Sequence, residues 1–291
     1  MSFYLENSPL LNKQNIALFV NLQDLKGNEY LLVNTHLIFN KNRGDIKTCQ
    51  ISLIRRAIKK IITSKDWNKK PFIILGGDFN LTPSSLLYKF ITENDFEILK
   101  KFRKFEWSGQ SRTEKYFKYS RSSFREKLLL SNQKFDMNIQ GRFMKSGPKS
   151  YEEYDMMVQT LDSIEIYIEN SQIKIKMRDK SKCENSGLFG EKFDPGYIFG
   201  IDVNFKSSYA QINTLNNNSR YYKSSNEPLF TTQPEEVPTT VDYLFYNGDI
   251  HPKAVLDVPD ISQILGLSIL YQPSKINPSD HFCIYAEFVE V

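Results

Sequence analysis

The sequence predicts an α/β fold, and three observations carry that prediction. Two β-rich runs, Ile16 to Leu22 and Tyr30 to Asn34, flank Lys26-Gly27-Asn28, which reads as a hairpin turn. From Ile46 to Ile62 the apolar residues fall at Ile46, Cys49, Leu53, Ile54, Ala57, Ile58, Ile61 and Ile62, the spacing of a helix with one buried stripe. After the breaker Trp67-Asn68-Lys69-Lys70-Pro71 comes the apolar run Phe72-Ile73-Ile74-Leu75, a buried strand. A β-β-α-β order of this kind builds a sheet layered with helices.

Taken in order, the second strand runs into Thr35-His36. The helix carries Lys47, Arg55, Arg56, Lys59 and Lys60 opposite its apolar stripe, expected as a solvated face rather than a nucleic-acid patch. The buried strand ends in Gly76-Gly77-Asp78-Phe79-Asn80-Leu81-Thr82-Pro83. Residues two apart on a strand share a side, so Asp78 and Asn80 are expected to address one ligand while Phe79 packs the other way. Thr82-Pro83 reads as an N-cap followed by proline at the first helical position, predicting a helix from Ser84 to Ile91. Farther on, Ile164 to Ile168 and Ile173 to Met177 alternate about Asn170-Ser171 as a hairpin, and Ser207 to Asn226 reads as a polar surface loop or disordered insertion. A strand from Thr239 to Tyr246 contains Asp242. Ala254 to Val258, a helix-like segment near Ile261 to Leu267, Ser279-Asp280-His281 and a strand from Phe282 to Phe288 close the chain.

The 291 residues are read as one domain, with 40% hydrophobic and 13% aromatic residues to fill a core. No apolar run approaches the roughly 20 residues of a membrane span, and the start lacks a secretory signal's basic and long apolar regions. Cys49, Cys183 and Cys283 are scattered without pairing or zinc-like spacing. Together these predict an intracellular chain with no membrane partner, in the cytoplasm first, with nucleus and mitochondrion as alternatives. A net charge of +4 permits a polyanionic partner without requiring one.

Four places put ionisable or amide groups at strand ends: His36, the Asp78/Asn80 pair, Asp242, and Asp280 beside His281. Each has a plain structural reading as well: a histidine satisfied by a backbone carbonyl, an acceptor for loop amides, a turn. As a set, they are the groups that metal-assisted phosphoester cleavage uses. That chemistry needs a positioned water, neutralised phosphoryl oxygens and a stabilised leaving group. Magnesium prefers oxygen donors, and an Asp beside a His fixes its tautomer or holds its charged form.

Asn34-Thr35-His36, Gly77-Asp78-Phe79-Asn80, Thr240-Val241-Asp242-Tyr243 and Ser279-Asp280-His281 together resemble the ordered motifs of the endonuclease/exonuclease/phosphatase superfamily. The stretch from Asn34 to Lys47, Trp107-Ser108-Gly109-Gln110 and Thr239 to Tyr243 are most similar to the Angel branch of its CCR4-related group. The resemblance is close over Pro9 to about Gln110 and Val237 to Val291, and faint from Phe117 to Asn226. A poorly matched insertion is therefore expected over about 117–236, containing the polar loop 207–226.

The resemblance implies a DNase I-like four-layer α/β sandwich, two mixed sheets face to face with helices outside. It implies Mg2+, or Mn2+, as cofactor and RNA 3′ ends as substrate, attacked as by a deadenylase or a 2′,3′-cyclic phosphatase. By position, Asp78 would orient water and hold metal, Asn80 would contact phosphoryl oxygens and metal, and His281 would bind phosphate or metal, held by Asp280. Asp242 would support the group, and His36 would contact phosphate or assist the leaving group. The family's early strand Asn and its Gln-Glu motif have no match before Asn34. The domain is thus expected to be incomplete at its N-terminus, to expose the inner face of its sheet, and to show little metal-dependent activity. Non-catalytic RNA or protein binding is the alternative, and a lipid or inositol phosphatase is the third reading.

Overall fold

The computed structural model describes residues 1–6, 8, 10–110, 148–178, 193–213, 220–222, 224–233, 239–259, 273 and 278–291. Its centre is a six-stranded mixed sheet built from β1 (Ser2–Tyr4), β2 (Asn12–Gln23), β3 (Glu29–His36), β4 (Phe72–Asp78), β7 (Lys206–Ser207) and β8 (Asp242–Asn247), in the order β1-β2-β3-β4-β8-β7. Only β3 and β4 are parallel, because helix α1 (Gly44–Ser64) carries the chain back between them. The hairpin β5–β6 (Ile164–Glu169, Gln172–Met177) and the antiparallel pair β9–β10 (Ile250–Val255, Ala286–Glu290), whose strands are far apart in the chain, lie outside this sheet. The remaining helices are α2 (Leu86–Glu93), α3 (Pro148–Asp162), α4 (Pro195–Phe199) and α5 (Ser208–Asn213), with a 3-10 turn at Glu97–Lys101.

The strand pattern divides the sheet's two faces sharply. Leu31 and Val33 of β3, Ile73 and Leu75 of β4, and Tyr243 and Phe245 of β8 are buried in one core with Ile46, Cys49, Leu53, Ile54, Ala57 and Ile58 of α1. Each fully buried aliphatic side chain there contributes about 2 kcal/mol of transfer free energy. The alternate residues point the other way. Leu18, Val20, Leu32, Ile74 and Leu244 line a groove of about 380 Å³ with Phe282 and Ile284, and Leu18 is 59% exposed. Helix α1 packs on the opposite face, and an apolar sheet face left open to solvent favours association. Leu18→Lys is accordingly expected to change folding stability by less than about 0.5 kcal/mol while lowering concentration-dependent light scattering. Unchanged scattering would mean that this face does not drive association.

The structure departs from the sequence pattern at several places. The basic side of α1 is not a solvated face: Lys47 and Arg55 are fully buried and Arg56 nearly so, leaving only Lys59 and Lys60 exposed. Arg55 Nη2 donates to Phe90 O (3.3 Å) and Ile91 O (2.6 Å) in the last turn of α2. Arg56 donates to Leu161 O (2.7 Å) and Ile164 O (2.5 Å) around the end of α3. The closing carbonyls of a helix lack intrahelical donors and sit at its negative pole, so a buried guanidinium serves them well.

Helix α2 begins at Leu86, later than expected, because Ser85 Oγ, not Thr82, accepts the capping bond from Tyr88 N at 3.0 Å. Within 207–226, expected to be irregular, Lys206–Ser207 pairs with β8 and Ser208–Asn213 forms α5. A strand not expected from the sequence runs over Ile250–Val255, and the last strand, expected from Phe282 to Phe288, is Ala286–Glu290. The strand expected from Thr239 begins at Asp242, with Thr239 only bridged to Thr232. The helix-like segment at 261–267, and Cys183, lie outside the described residues. No described helix is long and apolar enough to cross a membrane.

Candidate active site

Three strand ends meet on one rung of the sheet. The parallel register pairs His36 with Asp78, and the antiparallel register pairs Asp78 with Asp242, so the three residues sit side by side at the rim of the bare face. The fourth residue arrives from sequence far away: Phe282 N donates to Thr231 O at 2.7 Å and Gln233 N to Asp280 O at 2.9 Å, laying His281 across the end of β8. Asp78, Asp242 and His281 then offer ligand atoms that all lie within 4.8 Å of one another. His36 Nε2 is 3.4 Å from Asp78 Oδ2, with its ring mostly open to solvent.

The backbone around Asp78 is shaped for this approach. Gly77, at φ +137°, brings its Cα against Thr35 O, where a Cβ would meet the oxygen at 1.9 Å. Asn80 lies past the strand end at φ +50°, in the left-handed region that asparagine tolerates better than most residues. It does not continue the strand's alternation as expected. Its amide N donates to Asp78 Oδ1 (2.8 Å), and its Nδ2 donates to Leu37 O (3.1 Å) with the residue buried. Phe79 packs edge-on against Tyr243 and Phe245 in the core, as its position suggests.

His281 is held by Asp242 rather than by its neighbour Asp280: His281 Nδ1 lies 2.8 Å from Asp242 Oδ2. The same oxygen accepts from Thr231 Oγ1 at 2.6 Å, and Thr231 Oγ1 in turn accepts from the Val241 and Asp242 amides at 3.1 Å. Asp280 contributes its backbone carbonyl to Thr232 Oγ1 and Gln233 N. Sequence reasoning missed Thr231. Its only signal is a hydroxyl pair, Thr231-Thr232, directly after the apolar pair Leu229-Phe230.

The electrostatics follow from this crowding. Burial first, and the Asp242 carboxylate second, push the Asp78 carboxyl above its usual range, against the pull of the Asn80 amide and the two imidazoles. The hydrogen bond to Asp242 raises His281 and favours its imidazolium. Two carboxylates that repel each other beside an imidazole are a donor set suited to a divalent cation, which removes the repulsion by binding between them.

The segment carrying Thr231 is anchored by a buried acid. The Tyr88 hydroxyl donates to Glu227 Oε1 at 2.6 Å, and burial pushes the Glu227 carboxyl up to about 7 from an ordinary 4.5. Below pH 4.5 the group is neutral whether folded or unfolded. Between pH 4.5 and 7 only the unfolded chain ionises, so stability falls by up to about 3 kcal/mol and then levels. Urea unfolding at pH 5 and pH 8 is expected to show this loss in the wild type and its absence in Glu227→Gln; equal pH dependence would remove Glu227 as its source.

A mixed sheet with acidic and imidazole side chains gathered at its rim agrees with the family match: the chain belongs to the endonuclease/exonuclease/phosphatase family, whose signature matches residues 54–281. Within that family it is similar to carbon catabolite repressor protein 4 homolog 3 of Arabidopsis thaliana, 28% identical over 280 residues that cover 95% of this chain and 50% of that protein. It is also similar to protein angel homolog 2 of Bos taurus, 24% identical over 314 residues, covering 99% of this chain and 50% of that one. The structure of ANGEL2, described as a 2′,3′-cyclic phosphatase, in complex with adenosine-2′,3′-vanadate, aligns at a TM-score of 0.57 and 22% identity, covering 99% of this chain and 64% of that one. The fold is therefore the DNase I-like one, and the chain spans about half the length of the relatives it matches.

Proposed function

We propose that this chain carries the phosphate-contacting part of a magnesium-dependent phosphoesterase acting on RNA 3′ ends. The observation that carries the reading is the convergence of Asp78, Asp242 and His281 within 4.8 Å at adjoining strand ends, with His36 alongside. In this reading Asp78 and Asp242 hold Mg2+ or Mn2+ with His281. Bound there, the cation would neutralise phosphoryl charge and lower the pKa of a bound water. With the cation bound, Asp242 would accept from His281 Nδ1–H and leave Nε2 of the neutral ring as a donor to the cation, and the exposed His36 is placed to donate a proton to a leaving oxygen. Asn80 supports Asp78 through its backbone amide rather than by offering its carboxamide nitrogen, which Leu37 O occupies. The similarity to a protein described as a 2′,3′-cyclic phosphatase supports the cyclic end over a poly(A) tail.

The test is a single-turnover assay at enzyme excess on matched oligoribonucleotides ending in a 2′,3′-cyclic phosphate, an adenylate tail or a plain 3′-hydroxyl, with Mg2+ or Mn2+. The expected result is slow opening of the cyclic end, lost with EDTA and in Asp78→Ala. A second reading, RNA binding without chemistry, is favoured by one observation: the described cluster contains two carboxylates and no third. RNA binding with no turnover of any end under either metal would establish that reading instead.

A further inference from the structure

Lys47 lies beside the site and has had no role so far. On α1 it heads a row with Ile51, Ile54 and Ile58, spaced i, i+4, i+7, i+11 along one buried side of the helix. The helix pattern alone would place an apolar residue there. Instead the side chain is fully buried, and its ammonium lies 2.5 Å from Asn80 O and 2.9 Å from Gln110 Oε1. Both acceptors are neutral, so no carboxylate hydrogen-bonds this amine; burial lowers it to about 7 against the pull of the Asp78 carboxylate, and a polar group buried there demands a local reason.

The geometry points to Lys47 as a positioning residue for the Asp78–Asn80 turn, an inference that rests on reading Asp78, Asp242 and His281 as a cation site. Asn80 sits at φ +50°, a left-handed conformation that asparagine adopts more readily than most residues and that its hydrogen bonds here hold in place. Lys47 Nζ fixes its carbonyl, Leu37 O fixes its carboxamide, and with both held its N–H points at Asp78 Oδ1. That bond decides which carboxylate oxygen is engaged at the turn. Oδ2 is left facing His36 Nε2 at 3.4 Å and His281 Nε2 at 3.9 Å. The chain of contacts therefore runs from a helix on the covered side of the sheet, through the Asn80 peptide, to the orientation of Asp78 on the bare side.

The experiment compares wild type, Lys47→Met and Lys47→Gln by thermal melting, by hydrogen–deuterium exchange of peptides covering 78–82 and α3, and by Mn2+ titration followed by electron paramagnetic resonance. Lys47→Met is expected to raise exchange in 78–82 about 10-fold while α3 keeps its protection, and to weaken Mn2+ binding about 10-fold. The shorter, neutral Lys47→Gln folds without a buried charge and is expected to fall between the other two in both readouts. Tighter Mn2+ binding in Lys47→Met would show that the ammonium acts only as a repelling charge and would overturn the proposal. So would exchange raised equally throughout the chain, or Lys47→Gln matching wild type in both readouts if Lys47→Met does not fold. If wild type takes up no Mn2+, the cation reading falls, and the exchange at 78–82 alone decides the role of Lys47.

Discussion

Asp78→Ala is expected to abolish cation uptake and phosphoester turnover while leaving the folded state as stable as before, or more so. Asp78 supplies one of the three donors in the cluster, and the other two cannot close around a cation with the central strand's carboxylate gone. A loss of at least about 100-fold in Mn2+ affinity is the scale to expect, beyond the 10–100-fold typical of residues that only orient a ligand. The stability side follows from the raised Asp78 carboxyl. A buried carboxylate facing Asp242 prefers to be neutral, so at pH 8 its ionisation works against the folded state. Deleting it removes that opposition together with the bond from the Asn80 amide, a bond of about 1 kcal/mol, so the two changes act in opposite directions. Melting and Mn2+ titration on the same sample check both halves. A variant that loses stability and binding in proportion would place Asp78 in the scaffold rather than in the site.

Gly77→Ala is expected to be the most destabilising single methyl addition near the site. At φ +137° the position disfavours any side chain, and the new Cβ would lie 1.9 Å from Thr35 O and 3.0 Å from Asn34 Oδ1, between two hydrogen-bonded strands. Asn34 Oδ1 ends a side chain that can swing away, but Thr35 O is backbone and cannot, so β3 and β4 must part where they carry His36 and Asp78. A cost of about 3 kcal/mol or more follows. Gly27 provides the control: it too has a left-handed φ, +83°, but a Cβ there meets nothing within 4 Å. Gly27→Ala should therefore cost about 1 kcal/mol, from backbone conformation alone. Denaturant unfolding of the two variants separates the terms, and equal losses would mean that the close approach at Thr35 is relieved without cost.

The rung that builds the site was legible in the sequence because strand alternation is a local code. His36, Asp78 and Asp242 each follow or begin an apolar strand, and period-two spacing places them on the same face once the registers are set. What no local pattern carries is which residue of another segment holds which. Asp280 adjoins His281 in the chain, yet the imidazole turns to Asp242, because the 231–233 segment pins the 280–282 backbone and leaves His281 over the end of β8. The basic face of α1 was misread for a related reason. Arg55 and Arg56 look solvated when only their own helix is counted, but their targets are carbonyls at the ends of α2 and near α3, far along the chain. Lys47 did leave a trace, at the head of an apolar row, which a reading of charge alone overlooks.

The most direct measurement is Mn2+ titration of the purified chain, with electron spin-echo detection of nitrogen bound to the ion. His281 Nδ1 is committed to Asp242, so Nε2 is the nitrogen that faces the cluster. The account predicts Mn2+ uptake with an imidazole nitrogen coupling that disappears in His281→Ala and persists in Asp280→Ala. No uptake, or a coupling unchanged by His281→Ala, would contradict it.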